Sequence, residues 1–475
     1  MKLELKVLSA EEQEQIHRTS LDILETVGIE IWLEEALALY QQGGAEVKGN
    51  RVYIPPSLVG VALAKVPSSF LLKARNPLNN VQIGMAEPVC APPAGCVYIS
   101  NYGEERRPAS GDDYLALLKL LQVSRFYGTN GGGVVIPDLG PGIGQAEKYA
   151  WMVLAGYWYS DKPQMGFTVD AAIARECLNI SGIVFEDEPG CRVVGIINPD
   201  SPLRYPEEML QSLLLFARAG QPLVFAPCSM AMTTSPATLA GTLAQNNAEV
   251  LAGIVLAQLV NPGNPVVYGN TSTISDMQTM SIAIGAPELS LLSGAAAEMA
   301  AFYRMPSRVG GALTDAKRPD YQAGMESMLS MLTAQSSGAS LIVHSGGIVD
   351  SFLTLSFEKL LLDEDLGGMA RRISRGIEVN PQSLALDVIA EVGPGKDFLS
   401  TSHTLYHFRK EMFRPGLSDR HPFQAGQDYG NNLLDQARQE WKGRLASFER
   451  PVLDKEIEEN LLSYYKRKFG RFPNL

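Results

Sequence analysis

The chain has 475 residues, 45% apolar and 19% charged, with a formal charge of −12. Such a chain can bury a large core, which excludes wholesale disorder, and its acidic balance argues against nucleic acid or an anionic membrane as main partner. Five cysteines without a Cys-x-x-Cys pattern fit reduced thiols in a cytoplasmic protein.

The start, MKLELKVLSAEEQEQIH, is polar, so no signal peptide is expected, and no apolar run is long enough to span a bilayer. Residues 1–110 read as an irregular α+β layer. Ser9 and Glu12 have the spacing of a capping box, Ile16, Leu24 and Val27 lie on the helix that follows, and Gly28 is its stop. A helix is predicted over Leu33–Gln42 and a hairpin over Glu46–Ile54, turning at Lys48-Gly49-Asn50.

From 111 to 410, helical stretches alternate with short β-rich runs. The predicted strands are Gly131–Ile136, Gln164–Val169, Arg192–Ile197, Pro222–Ala226, Pro265–Gly269, Ser307–Gly310, Ser340–His344 and Ala385–Val392. Eight alternations over about 300 residues predict an α/β protein, a (β/α)8 TIM barrel. A doubly wound sheet is the rival, since alternation alone does not close a barrel. Residues 411–475 open with FRPGLSDRHPF and continue into two polar helices, a C-terminal arm packed on the barrel or on a second subunit. A homo-oligomer is expected.

In such a barrel the site lies at the C-terminal ends of the strands. The residues there include Asn198, Cys228, Asn270, Thr271, Asp315, His344 and Glu391. His403-x-x-x-His407 is the one close histidine pair; it has no adjoining glutamate or cysteine, so it reads as an arm anchor and no tightly held metal is expected. Gly131-Gly132-Gly133 lacks phosphate-loop spacing, no Gly-x-Ser-x-Gly occurs, and Cys228 reads as a buried structural thiol. Aromatic residues near loops, among them Tyr98, Tyr268 and Phe352, could supply faces to a quaternary ammonium ion, although most aromatics fill cores.

Four strings carry a resemblance: TSPATLAGTLAQNNAEVLAGIVLAQLVNPGNPVVYGN (234–270), GAPELSLLSGAAAEMAAFYRMPSRVGGALTDAKRPDYQAGMES (285–327), SLIVHSGGIVDSFLTLSFEKLLLDEDL (340–366) and EVGPGKDFLSTSHTLYHFR (391–409). With them the chain resembles the trimethylamine:corrinoid methyltransferase superfamily over nearly its whole length. The resemblance implies a TIM barrel that moves a methyl group from an amine to Co(I) of a separate corrinoid protein. The trimethylamine enzymes carry pyrrolysine and this chain has only the twenty standard residues, so it resembles the branch that demethylates quaternary amines such as glycine betaine, proline betaine and carnitine. No Asp-x-His-x-x-Gly motif occurs, so the corrinoid is expected on the partner.

That chemistry needs neither a general acid nor a nucleophilic side chain, because the amine leaves neutral and Co(I) attacks. It needs positioning, desolvation and an anchor for the rest of the substrate. The expected residues are His344 as the central position, with Arg308, Tyr98, Phe352, Tyr268 and Asn198 toward the substrate and Asn270 and Asp315 toward the corrinoid. Arg308 pairing with Asp315, and Lys317 as a solvated surface charge, are the competing structural readings. Two other functions stand beside this one: a non-catalytic quaternary-ammonium-binding or sensing protein on the same barrel, and an unrelated barrel lyase or hydrolase with an acid/base pair at its mouth.

Overall fold

A computed structural model describes residues 3–84, 87–423 and 432–475. Its centre is a parallel sheet of eight strands: β1 (Val89–Cys90), β2 (Asn130–Gly131), β3 (Gln164–Met165), β4 (Val193–Ile197), β5 (Leu223–Phe225), β6 (Val266–Gly269), β7 (Ser307–Gly310) and β8 (Leu341–Val343). They follow one another in chain order, and β8 pairs with β1 through Leu341–Val89 and Ile342–Cys90. The remaining gap, between β1 and β2, is bridged where Gly128 N–H donates to Cys90 O at 2.8 Å. One long helix follows each strand: α1 (Gly111–Val123), α2 (Gln145–Tyr159), α3 (Ala171–Val184), α4 (Glu207–Arg218), α5 (Leu239–Val260), α6 (Pro287–Phe302), α7 (Tyr321–Ser336) and α8 (Phe357–Ser374). The fold is a TIM barrel.

Strand alternation sorts the core into two bodies. Met165, Val194, Val224, Val267, Leu341 and Val343 fill the barrel interior, and Tyr268, Val309 and Ile342 face the helices. Phe70, Leu72 and Ile83, from the hairpin Phe70–Leu72/Val81–Ile83, join the interior cluster. Lys73 N–H donates to Cys191 O just ahead of β4, so this hairpin plugs the N-terminal end. The C-terminal end is the one left for a site.

Local signals explain most boundaries. The Ser9–Glu12 capping box forms on helix Ala10–Asp22, and a second box, Ser110 with Asp113, opens α1. Asp170, Thr238, Asp320 and Ser356 cap α3, α5, α7 and α8 through their side chains. Gly28 sits at φ 76°, and the Glu46–Lys48/Arg51–Tyr53 hairpin turns on Gly49 at φ 61°. Helix α5 is long and apolar enough to cross a membrane, yet 89% of its apolar window is buried within the protein, against α4, α6 and helices of the N-terminal layer.

One strand assignment is corrected. Ala385–Val392 forms no strand: Leu386–Val392 is a helix entered through Ala385 at φ 50°. Leu386, Val388, Ala390 and Val392 alternate as a strand would, and Ile389 beside them breaks the alternation, so the pattern alone does not separate strand from helix; Glu391 is not at a strand end. The missing strand is Val89–Cys90, drawn from the stretch assigned to the N-terminal layer. The arm packs on the barrel's own helices. Arg471 pairs with Glu147 of α2 at 2.6 Å, Lys468 with Glu176 of α3 at 2.9 Å, and Arg444 with Glu364 of α8 at 2.9 Å.

Candidate active site

His344 follows the last residue of β8. The backbone turns left-handed there, φ 58°, so the imidazole leaves the strand's alternation. The turn is tied at once: Ser345 Oγ donates to Ile342 O at 2.7 Å, and Gly347 N–H donates to Asp363 of α8 at 2.8 Å. A Cβ on Gly346 would lie 2.2 Å from the Tyr127 hydroxyl, so the string His-Ser-Gly-Gly is a packing requirement at the barrel mouth. Ala94 N–H donates to His344 Nδ1 at 3.2 Å, and the Phe352 ring lies 4.9 Å from the imidazole, centroid to centroid. Burial pushes the pKa of His344 well below 6.5, and the Arg308 cation pushes in the same direction. The ring is therefore neutral, with its proton on Nε2.

Arg308 is the second residue of β7. Val309 beside it faces the helices, so the Arg308 side chain belongs to the inner face. Its Nη1 donates to Asn270 O at 2.8 Å and to Thr271 Oγ1, both just past β6. Among the described residues no carboxylate pairs with it, and its buried Nε has no hydrogen-bond partner. Burial lowers its pKa to about 10, which leaves it a cation at neutral pH. The expected pairing with Asp315 does not occur. Asp315 accepts from Ile284 N–H at 3.1 Å, Gly285 N–H at 2.8 Å and the Ser351 hydroxyl.

The other expected residues divide. Phe352 lies beside His344, on a left-handed run Asp350-Ser351-Phe352. Asn198 is exposed one residue past β4, in phase with the inward Val194 and Ile196. Tyr98 lies on the mouth-side strand Tyr98–Ile99, but the Arg106 guanidinium covers one ring face, 3.8 Å from the centroid. Arg106 pairs with Asp350 at 3.2 Å, and Lys317 pairs with the same carboxylate at 2.9 Å, so Lys317 is an ion-paired surface residue. Tyr268 is corrected: it is fully buried on the outer face of β6, 6.2 Å from the Tyr303 ring. A strand reading Val-Val-Tyr-Gly, apolar on both faces, does not say which residues point inward.

Asn270 and Asp315, expected toward the corrinoid, are both engaged within the chain. The Asn270 side chain folds onto its own loop, accepting from Ser272 N–H at 3.2 Å, and Asp315 is spent on the mouth loops. Cys228, past β5, is exposed rather than buried, and its Sγ faces Thr271 O at 3.8 Å. His403 and His407 stack at 4.4 Å on helix Ser402–Glu411, none of whose residues is buried. A groove of about 1190 Å³ lies at the opposite end, between Pro88, Gly338, Arg372 and Met412, and contains none of the site residues. Sequence reasoning missed two contributors. The Ala94 amide and the Asp350 hub carry no motif, and only the fold brings them to the mouth.

The family model for trimethylamine methyltransferase matches residues 2–473. The chain is 37% identical to a glycine betaine methyltransferase of Desulfitobacterium hafniense (strain Y51), over 97% of each protein. It is 32% identical to a proline betaine:corrinoid methyltransferase of Eubacterium limosum, over 98% of each. Among solved structures, the monomethylamine methyltransferase of Methanosarcina barkeri superposes with a TM-score of 0.52 at 11% identity, covering 99% of this chain and 88% of that one, a likeness of fold. A match over nearly every residue, with full-length relatives above 30% identity, places this chain in the trimethylamine methyltransferase family.

Proposed function

We propose that the chain moves a methyl group from a quaternary amine, glycine betaine or a similar betaine, to Co(I) of a separate corrinoid protein and releases the tertiary amine. The observation that carries this reading is the placement of His344: buried at the barrel mouth, its Nδ1 accepting from Ala94 N–H at 3.2 Å, with the Phe352 ring 4.9 Å away. Two carboxylates of the mouth loops, Asp315 and Asp350, are engaged by backbone N–H groups and by cations. That is a poor arrangement for acid–base chemistry and a suitable one for an amine that departs without a proton.

Co(I), brought by the partner, supplies the nucleophile. The chain's part is to bind and orient. The Phe352 face meets the ammonium methyls, and the His344 Nε2–H donates to a polar group of the substrate. His344 is buried and Phe352 half-buried, a setting poorer in water than the surface, where geometry counts. A cation–π contact weakens as positive charge leaves nitrogen, so Phe352 serves binding and orientation more than rate. The names of the two relatives, glycine betaine and proline betaine methyltransferases, support a betaine in particular.

The test is a panel of quaternary amines incubated with the protein and chemically reduced cobalamin, scored by the methyl-Co(III) spectrum and by the demethylated amine. Stoichiometric methyl-Co(III) with glycine betaine is expected. Tight binding of a betaine with no methyl transfer, to free cobalamin or to a corrinoid protein, would make the chain a binding or sensing protein.

A further inference from the structure

Helix α8 ends at Ser374, at the N-terminal end of the barrel. The chain then runs through three short helices, Pro381–Leu384, Leu386–Val392 and Ser402–Glu411. They have almost no interior: Val392 is the one buried residue among them. Eleven large apolar side chains between Ile377 and Met412 are exposed, among them Leu384, Leu386, Ile389, Leu399 and Leu405. Polar contacts tie the stretch to α8: Arg372 pairs with Glu411 at 3.1 Å, and Arg375 donates to Lys410 O at 2.8 Å. A soluble monomer rarely leaves a contiguous apolar patch of more than about 300–600 Å² open to water. A cluster of this kind marks a face that something covers.

Beside it lies the groove of about 1190 Å³ at the same end of the barrel. Its lining includes the apolar Leu3, Leu5, Phe302 and Met412, and its cations outnumber its carboxylates in a chain of net charge −12. Arg372 and Arg375 share Glu411. Arg371 leans on the Phe126 ring and Arg409 on Phe408, and among the described residues neither meets a carboxylate. Arg414 lines the same groove. The helix Leu386–Val392 has the complementary chemistry. At about 100° per residue, Leu386, Ile389 and Ala390 share one stripe, and Asp387 and Glu391 share the adjoining one. All five are exposed, and among the described residues neither carboxylate pairs with a cation.

We infer that this helix of one copy lies in the groove of a second copy, and reciprocally, so that the chain forms two-fold pairs through the N-terminal face of the barrel. Leu384, Leu386 and Ile389 cover the apolar lining, and Asp387 and Glu391 meet Arg371, Arg409 and Arg414. Both halves of the contact come from one sequence, as a two-fold interface requires. The face lies at the opposite end from His344, so both mouths stay open to substrate and to the corrinoid partner. The pairing does not depend on the methyl-transfer reading.

The experiment is sedimentation equilibrium of the full chain over a wide range of concentration. A mass twice the 51.5 kDa of the chain, or an even-numbered assembly built from such pairs, is expected. Leu386→Asp with Ile389→Asp should weaken the pair by at least about thirtyfold, the scale of losing buried apolar anchors. Asp387→Arg with Glu391→Arg, and separately Arg409→Glu with Arg414→Glu, should each weaken it by about tenfold or more through like-charge contacts. All four exchanges in one chain should bring the pair back, and this restoration keeps the test decisive if the aspartate variant does not fold. A monomer at every concentration overturns the inference. So does an assembly that none of the variants weakens, which places the interface elsewhere, and so does a fourfold exchange that fails to restore pairing. A chain that is monomeric alone and associates only with its corrinoid protein assigns the face to that partner and overturns the inference as well.

Discussion

Ala94 N–H donates to His344 Nδ1 across the closing seam of the barrel, from the loop after β1 to the end of β8. The bond decides the tautomer: with Nδ1 accepting, the neutral ring carries its proton on Nε2. A glutamine at 344 can also place a neutral N–H there, and an alanine cannot. His344→Ala should lower kcat/KM for a carboxylated betaine by about ten- to a hundredfold, and His344→Gln should recover part of that loss. Equal damage by both variants would rule out a simple donor role.

The same histidine gives a pH signature. Its folded pKa lies well below its ordinary 6.5, because of burial and then Arg308. As pH falls below 6.5 the unfolded chain takes up a proton that the folded site refuses, so stability declines toward acid, by up to about 1.4 kcal/mol per pH unit. Above 6.5 the residue is neutral in both states and contributes no slope. Unfolding free energies measured in denaturant from pH 8 down to 5 should show this slope in the unaltered protein, and His344→Gln should flatten it. An unchanged slope in the variant would assign the acid sensitivity to other groups.

Behind the mouth, Lys359 and Asp363 form a buried ion pair at 2.6 Å on α8, with Lys359 also donating to Ser327 Oγ at 2.9 Å. Asp363 in turn accepts from Gly347 N–H and so holds the loop that carries His344. Lys359→Met strands a buried carboxylate and should cost about 3–5 kcal/mol, read by denaturant unfolding. A loss below about 1 kcal/mol would mean that Asp363 is satisfied without its lysine.

Much of this was legible before any coordinates. The Ser9–Glu12 capping box, the helical periodicities and seven of the eight strands stand where residue patterns put them, because each is written in short-range chemistry. Val89–Cys90 was not legible: a two-residue strand beside Pro88 and Pro92 has no alternation to read. His344, Phe352 and Arg308 could be nominated from position and residue type. What could not be read was partnership. Whether Arg308 meets Asp315, whether Arg106 covers Tyr98, and which face of β6 carries Tyr268 depend on contacts between distant segments.

Cys228 offers a direct probe of the mouth. It is the exposed cysteine of five; burial raises the thiol pKa of Cys96 and Cys177 to about 12 and of Cys191 to about 11, and raises that of Cys90 as well. Packing raises Cys228 too, with Arg308 opposing. Iodoacetamide at mildly alkaline pH should therefore place a single slow adduct on Cys228, located by peptide mass spectrometry, and saturating glycine betaine should slow it severalfold. Labelling at the same rate with and without the betaine would put the ligand elsewhere.

The aromatic contribution separates two rings that the sequence treats alike. Tyr98 has one face under the Arg106 guanidinium, which Asp350 holds in place, so a second cation there would meet like charge. Among the described residues no cation covers Phe352, which lies against the neutral His344. Phe352→Leu keeps an apolar side chain and removes the π face, so it should raise KM for a quaternary amine by about two- to thirtyfold, the span of a cation–π contact worth about 0.5–2 kcal/mol. Because positive charge leaves nitrogen as the methyl group departs, kcat should fall much less than KM rises. Tyr98→Leu should change KM by less than about threefold, its main loss being the seat of Arg106. Steady-state kinetics of the two variants on one substrate decide the matter. If Tyr98→Leu raises KM as much as Phe352→Leu, the Arg106 guanidinium must swing away when substrate enters. If Phe352→Leu lowers kcat and leaves KM alone, the ring orients the methyl group for attack and does not bind the cation.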